Sequence, residues 1–183
     1  MRAQRLRILT IAMSLTLGIG LAAASAQSAP EATLKAAFLY NFAKFAEWPA
    51  DAAAVDPLVI CVLGDPAIAN ALDETVKGRT IDGRKVGVSR VKPDGLRACH
   101  VLYIAGLDAR AANQIVDDLN NAPVLTVADR EQFAQNGGIA GLFVEEGRMR
   151  FAINVEAAQR CRLRISSRLL SLAKIVKDDR AHP

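Results

Sequence analysis

The sequence predicts a single α/β domain: one mixed sheet with helices on both faces and an antiparallel hairpin near one edge. Three observations predict it. The continuous apolar runs Leu58 to Leu63 (LVICVL) and Val101 to Ala105 (VLYIA) have the length and β-rich content of strands covered on both faces. Segments with helical spacing lie between and after them, so strand and helix alternate through the centre of the chain. Ile139 to Val144 and Met149 to Ile153 face each other across Glu145-Glu146-Gly147-Arg148, a hairpin with Gly147 in its turn. The 183 residues contain no internal repeat, low-complexity tract or long linker that would divide them.

The chain opens on a basic start (Arg2, Arg5, Arg7), an apolar run from Ile8 to Leu21 and the small residues Ala24-Ser25-Ala26, the layout of a secretory signal peptide cut before Gln27. Residues 1–26 are read as a cleaved leader and 27–183 as the domain. The product is expected to be exported, periplasmic in a Gram-negative cell, and not membrane-embedded after cleavage. An uncleaved amino-terminal anchor is the alternative. Formal charge is +4, but setting aside the three leader arginines leaves 20 basic against 19 acidic residues, which gives no electrostatic case for a nucleic-acid partner.

Leu34 to Pro49 (LKAAFLYNFAKFAEWP) is the most strongly patterned stretch. Leu34, Phe38, Phe42 and Phe45 recur at helical spacing and are expected to face the core, with Ser28 or Pro30 starting the helix and Pro49 ending it. Asp51 to Asp56 reads as a connector before the Leu58 strand. Asp65 is placed to cap a helix from Ala67 to Val76, with Pro66 in its first turn. Ile81 sits in a turn-rich piece between Gly78 and Gly83, Lys85 to Val91 alternates as a strand, and Pro93-Asp94-Gly95 is a turn. A helix from Ala109 to Leu119 follows the Val101 strand and ends at Asn120-Asn121. Pro123 to Val127 is a further strand, and Asp129 to Phe133 a short helix closed by Asn136-Gly137-Gly138. After the hairpin, Val155 to Arg160 is a brief helix and Arg162 to Ile165 is ambiguous. Ser166 or Ser167 caps a last helix holding Leu169, Leu170, Ala173 and Val176.

Export makes the three cysteines informative. Cys61 with Cys99 is the preferred pair, closing a loop of roughly 39 residues for a stabilisation of about 4 kcal/mol; two buried free thiols are the other reading. Cys161 is then the odd thiol, either buried or linking two chains.

Catalytic groups are sparse. His100 follows Cys99 directly, and adjacent strand side chains point to opposite faces, so the two make a poor nucleophile and base. No metal-ligand spacing appears and no cofactor is implied. The turn Gly64-Asp65-Pro66 stands where a doubly wound sheet places ligands, but it lacks a phosphate fingerprint and reads first as a capped helix start. An enzyme would need His100, Asp65 or Glu145 to converge in a pocket. The basic series Arg160, Arg162, Arg164, Arg168, Lys174 and Lys177 suits either an acidic partner or plain solvation.

With these residues laid out, the chain resembles the YfiR-like family of small periplasmic proteins. The resemblance rests on Leu34 to Pro49, on ICVLGDP (Ile60 to Pro66), CHVLYIAG (Cys99 to Gly106) and VLTVAD (Val124 to Asp129), and on GGIAGLFVEEGRMRFAIN (Gly137 to Asn154) and ISSRLLSLAKIV (Ile165 to Val176). It implies a mixed α/β regulator without catalytic activity, a homodimer that binds the periplasmic region of an inner-membrane diguanylate cyclase and keeps cyclic-di-GMP low. The alternatives are a periplasmic binding partner of another membrane sensor, such as a histidine kinase, or a small-molecule-binding or enzymatic domain. Cys61 and Cys99 match one family disulfide, whereas a second family bridge has no cysteines here between Asn136 and Asn154. Ala152 stands where relatives commonly carry an acidic residue. Candidate partner contacts are Lys35, Asn41, Lys44 and Glu47 on the polar side of the opening helix, with Arg162, Arg164 and Arg168 further on.

Overall fold

The computed structural model describes residues 23–181 except Asn120, with side chains described from Pro30 to Arg180. The basic start and apolar run of the expected leader, Asn120 at the expected end of a helix, and His182 therefore lie outside the described residues.

Ten strands and seven helices are described, in the order α1 (Ala23–Phe45), β1 (Ala46–Glu47), α2 (Ala50–Ala53), β2 (Leu58–Leu63), α3 (Pro66–Val76), β3 (Thr80–Ile81), β4 (Arg84–Val91), β5 (Val101–Ile104), α4 (Ala109–Leu119), β6 (Leu125–Ala128), α5 (Glu131–Gln135), β7 (Ala140–Glu145), β8 (Arg148–Asn154), α6 (Val155–Arg160), β9 (Arg164–Ile165), α7 (Ser167–Leu170) and β10 (Lys174–Val176). Eight strands form one sheet in the order β10-β8-β7-β6-β5-β2-β4-β3. The central run β4, β2, β5, β6, β7 is parallel, and β3, β8 and β10 extend it at the two sides. This is the predicted mixed sheet, with the β7–β8 hairpin next to the last strand. Its turn residues Glu146 and Gly147 have φ of 51° and 72°, the doubly left-handed geometry that matches the twist of a two-residue hairpin.

Alternation along the strands divides the core between the two faces. Leu58, Ile60, Val62, Val101, Tyr103, Leu125 and Val127 pack under α1 and α3, whereas Cys61, Leu63, Leu102 and Ile104 pack under α4 and Phe133 of α5. The chain runs from β2 to β4 on one side and then returns past β2 to β5 on the other, so the order reverses between β2 and β5. The returning segment, 92–100, crosses the second face with Leu96 and Cys99 buried in it. Cys99 is bonded there to Cys61 of the strand it crosses, with Cα atoms 5.7 Å apart. The expected pair is formed, and Cys161 is free.

Expectations for α1 and for the last helix change, and α1 begins at Ala23 rather than at Ser28 or Pro30, with Pro30 inside it. The buried stripe of α1 is Ala32, Ala36, Leu39, Phe42 and Ala43, while Leu34 is 45% exposed. Phe38 and Phe45 are only partly covered, at the flank of that stripe. α1 packs most closely along α3, and its rings reach β8: Phe38 and Phe42 meet Phe151 edge-on at 5.8 and 5.2 Å between ring centres. The helix also stops at Phe45, before Trp48 and Pro49, because Ala46 and Glu47 pair antiparallel with Ile165 and Arg164. The last expected helix is likewise shorter. Ser166 caps α7 by accepting from the Leu169 N–H at 3.3 Å, but the helix ends at Leu170, and Lys174 to Val176 join β8 as a parallel edge strand.

Candidate interaction surface

The β1–β9 ladder joins the two segments that carry most of the candidate partner contacts. Ser166 donates its N–H to Phe45 O at 2.9 Å, and Glu47 stands opposite Arg164 in the register. Arg164 Nε lies 3.8 Å from Glu47 Oε2, and Arg162 Nη2 lies 3.2 Å from Asp51 Oδ2. Lys44 holds its ammonium 5.7 Å from the Phe45 ring centre. Asn41 on α1 and Arg168 on α7 are exposed. Both ion pairs are solvated on each partner, and such pairs contribute about 0–1 kcal/mol. Their charges can be re-paired with an incoming protein at little cost to the fold.

Lys35 does not belong to this surface. It lies near the other end of the sheet, where its side chain is only 12% exposed and its ammonium sits 2.6 Å from both Glu31 Oε1 and Asp129 Oδ2. Asp129 directly follows β6, and its Oδ2 also accepts the Tyr103 hydroxyl at 2.5 Å. Burial works to lower the Lys35 pKa, but hydrogen bonds and charge attraction from Asp129 and Glu31 outweigh it and leave the ammonium favoured. Burial, and then the Asp129 carboxylate, push the Tyr103 phenol far up, so it remains a donor. The cluster ties α1 to the carboxyl ends of β5 and β6. Asp129 and Tyr103 were missed as members of a cluster. The available signals were a tyrosine inside an apolar strand, which needs a partner when buried, and an acid at the carboxyl end of a neighbouring strand.

The three residues an enzyme would have needed stand apart. His100 is buried at the start of β5: its Nδ1 accepts the Val59 N–H at 3.1 Å and its Nε2 lies 3.2 Å from Ala52 O, so both ring nitrogens are used. Trp48 meets it edge-on at 5.7 Å. Asp65 lies at the opposite end of the sheet, its Oδ1 accepting from the Ala67 and Ile68 N–H groups at 2.9 and 3.1 Å as the α3 cap. Glu145 is exposed beside the hairpin turn, 3.8 Å from Arg150. At the switch point of the sheet the chain just after β2 lies in close backbone contact with the chain just after β5. Gly64 has φ of 90° and lies so close to Ala105 that a side-chain carbon would come within 2.3 Å of the Ala105 carbonyl oxygen.

The chain is thus a doubly wound α/β domain in which His100, Asp65 and Asp129 are engaged at a strand end, a helix cap and a helix tie, with an exposed charged ladder beside the sheet. The sequence places it more narrowly: residues 32–174 match the family described as YfiR/HmsC-like, and the chain belongs to that family. No helix among the described residues is long and apolar enough to cross a membrane.

Proposed function

We propose that this protein is a periplasmic regulatory protein that binds the periplasmic region of an inner-membrane diguanylate cyclase and lowers cyclic-di-GMP. The observation that carries the reading is membership of the YfiR/HmsC-like family over residues 32–174. The β1–β9 ladder supports it, because it pairs the exposed Glu47 with the exposed Arg164 although the two segments lie far apart in sequence. The leader, a homodimer and export to the periplasm belong to the same proposal. Repression by this route is a matter of differential affinity. A regulator that moves its target from almost wholly active to almost wholly inactive must prefer the inactive conformation by a factor on the order of 10⁴. No transition state has to be stabilised.

Deleting the gene and measuring cyclic-di-GMP, together with affinity capture of the exported protein from solubilised membranes, tests this. A rise in cyclic-di-GMP and recovery of a cyclase with a periplasmic loop are expected. An unchanged level with recovery of a histidine kinase would overturn the cyclase reading.

A further inference from the structure

A cavity of about 260 Å³ opens at the amino-terminal end of the sheet, away from the Lys35 cluster and independent of the partner reading. Apolar and polar groups share its lining: Val116 and Leu119 of α4, Ala122 and Val124 before β6, Ile139 before β7 and Ala157 of α6 stand beside Asp117, Asn121 and Thr126. Arg160 and Arg180 also line it. Arg160 donates from Nη2 to Asp178 Oδ2 at 2.5 Å, and the Asp178 side chain is only 4% exposed. The Arg180 N–H bonds Asp178 Oδ1 at 3.1 Å, so one buried carboxylate fixes both the Arg160 side chain and the backbone of the carboxyl-terminal segment. Arg180 then lies flat against Gly137, where a side-chain carbon would coincide with its guanidinium. Its other partner is Asp117, 2.8 Å from Nη1 and 58% exposed.

We infer that this cavity is a binding site for a small apolar carboxylic acid, its chain against the Val116–Leu119–Val124–Ile139 wall and its carboxylate on the Arg160 and Arg180 guanidiniums in place of Asp117. The chemistry follows from what the arginines already hold. Asp178 is desolvated and doubly bonded, and leaving Arg160 without it would strand a charge. Asp117 is an exposed partner of the kind that contributes little and exchanges readily. A guanidinium presents five donors in a planar fork, so Arg180 can keep the Asp178 side of its environment while accepting a new carboxylate on the other. The volume lies just under the roughly 300–1,000 Å³ usual for ligand pockets, which restricts the occupant to a short chain or a single ring. Cys161 lines the same cavity and is free, so it reports occupancy without any substitution.

The probe is hexanoate, with hexanol as its uncharged counterpart, on the full mature protein. Saturable elevation of the melting temperature by hexanoate is expected, with slower labelling of Cys161 by a small neutral thiol reagent over the same concentration range. Hexanol should need about tenfold or higher concentration for the same effect, as expected for loss of a charged hydrogen bond. Arg180→Ala should lose the preference for the acid. Asp117→Asn, an exposed substitution, should lower the half-saturating concentration about two- to fivefold. Equal action of hexanol and hexanoate, or an undiminished response in Arg180→Ala, would overturn the assignment, as would no response in Asp117→Asn. Should Cys161 prove inert in the folded protein, the melting series alone decides.

Discussion

His100 shows how a titratable residue can be wholly structural at the scale of one side chain. It accepts from the β2 backbone through Nδ1 and reaches the α2 carbonyl through Nε2, so the neutral imidazole is the form the fold needs. Burial lowers its pKa, the Ala52 carbonyl opposes that in part, and the Arg84 charge adds to the lowering. The unfolded chain takes up the proton near the ordinary value of about 6.5. Stability is therefore complete above that pH and falls as the solution is acidified below it, since the unfolded state binds more protons there. Urea midpoints at pH 7 and pH 5 should differ in that direction, and His100→Phe, less stable at both, should show a smaller difference. A His100→Phe protein with an unchanged pH dependence would assign the effect to other groups. The Tyr103–Asp129–Lys35 cluster makes a second residue-level case. Tyr103→Phe removes one hydrogen bond and leaves Asp129 on Lys35, for a cost of about 1 kcal/mol. Asp129→Ala leaves the buried phenol without its acceptor and should cost more, about 1–3 kcal/mol. Chemical denaturation of the two variants measures the order, and equal costs would mean the phenol finds another acceptor.

Among the elements, α1 carries the sharpest contrast between pattern and packing. Leu39 is fully buried and Leu34 is 45% exposed on the same helix. Leu39→Ala should cost about 2–5 kcal/mol as a core truncation, and Leu34→Ala should stay within about 0.5 kcal/mol. Denaturation of both variants settles whether the alanine stripe or the aromatic spacing marks the inner face. The aromatic residues dominated the sequence pattern because their apolar surface is large, yet the buried stripe includes Ala32, Ala36 and Ala43, whose small size carries almost no periodic signal. The β2, β4 and β5 strands, the Asp65 cap and the β7–β8 hairpin were legible, since each rests on local chemistry: apolar runs, a capping acid, a turn glycine. The ladder β1–β9 and the strand β10 were not. Two- and three-residue strands have no period of their own, and Lys174 to Val176 is drawn from a helical pattern into β8 by an edge that only the folded sheet supplies. For the candidate site the consequence was uneven: Glu47 and Arg164 were each nominated by exposure and charge, but their pairing is a property of the ladder. Lys35, nominated in the same way, is instead tied down by Asp129, a residue 94 positions away.

For the molecule as a whole, the disulfide and the charged ladder separate what holds the fold from what it presents. Parallel strands of one sheet usually need a crossover of about a dozen residues or more, most often a helix. The return from β4 to β5 makes do with 92–100 and is stapled by Cys99 to the strand it crosses. Oxidised protein should therefore exceed the Cys61→Ser, Cys99→Ser double variant by about 2–4 kcal/mol in urea denaturation; a difference near zero would mean the crossover packs unaided. The ladder should behave oppositely. Arg164 is 86% exposed and its pair with Glu47 is long, so reversing charge at Arg164 and at the exposed Arg168 should change stability by no more than about 1 kcal/mol. If this surface meets the cyclase, the same two reversals place like charge against the complementary patch that attracted the arginines, which slows encounter and loosens the complex. Arg164→Glu with Arg168→Glu should then raise the dissociation constant for the cyclase's periplasmic region about tenfold or more, flatten its salt dependence, and leave cyclic-di-GMP high in cells despite normal protein levels. Leu34→Asp, an exposed change at the other end of α1, serves as the control and should repress normally. Full repression by the double reversal, or loss of repression in the control alone, would move the contact surface away from the ladder and towards the amino-terminal half of the helix.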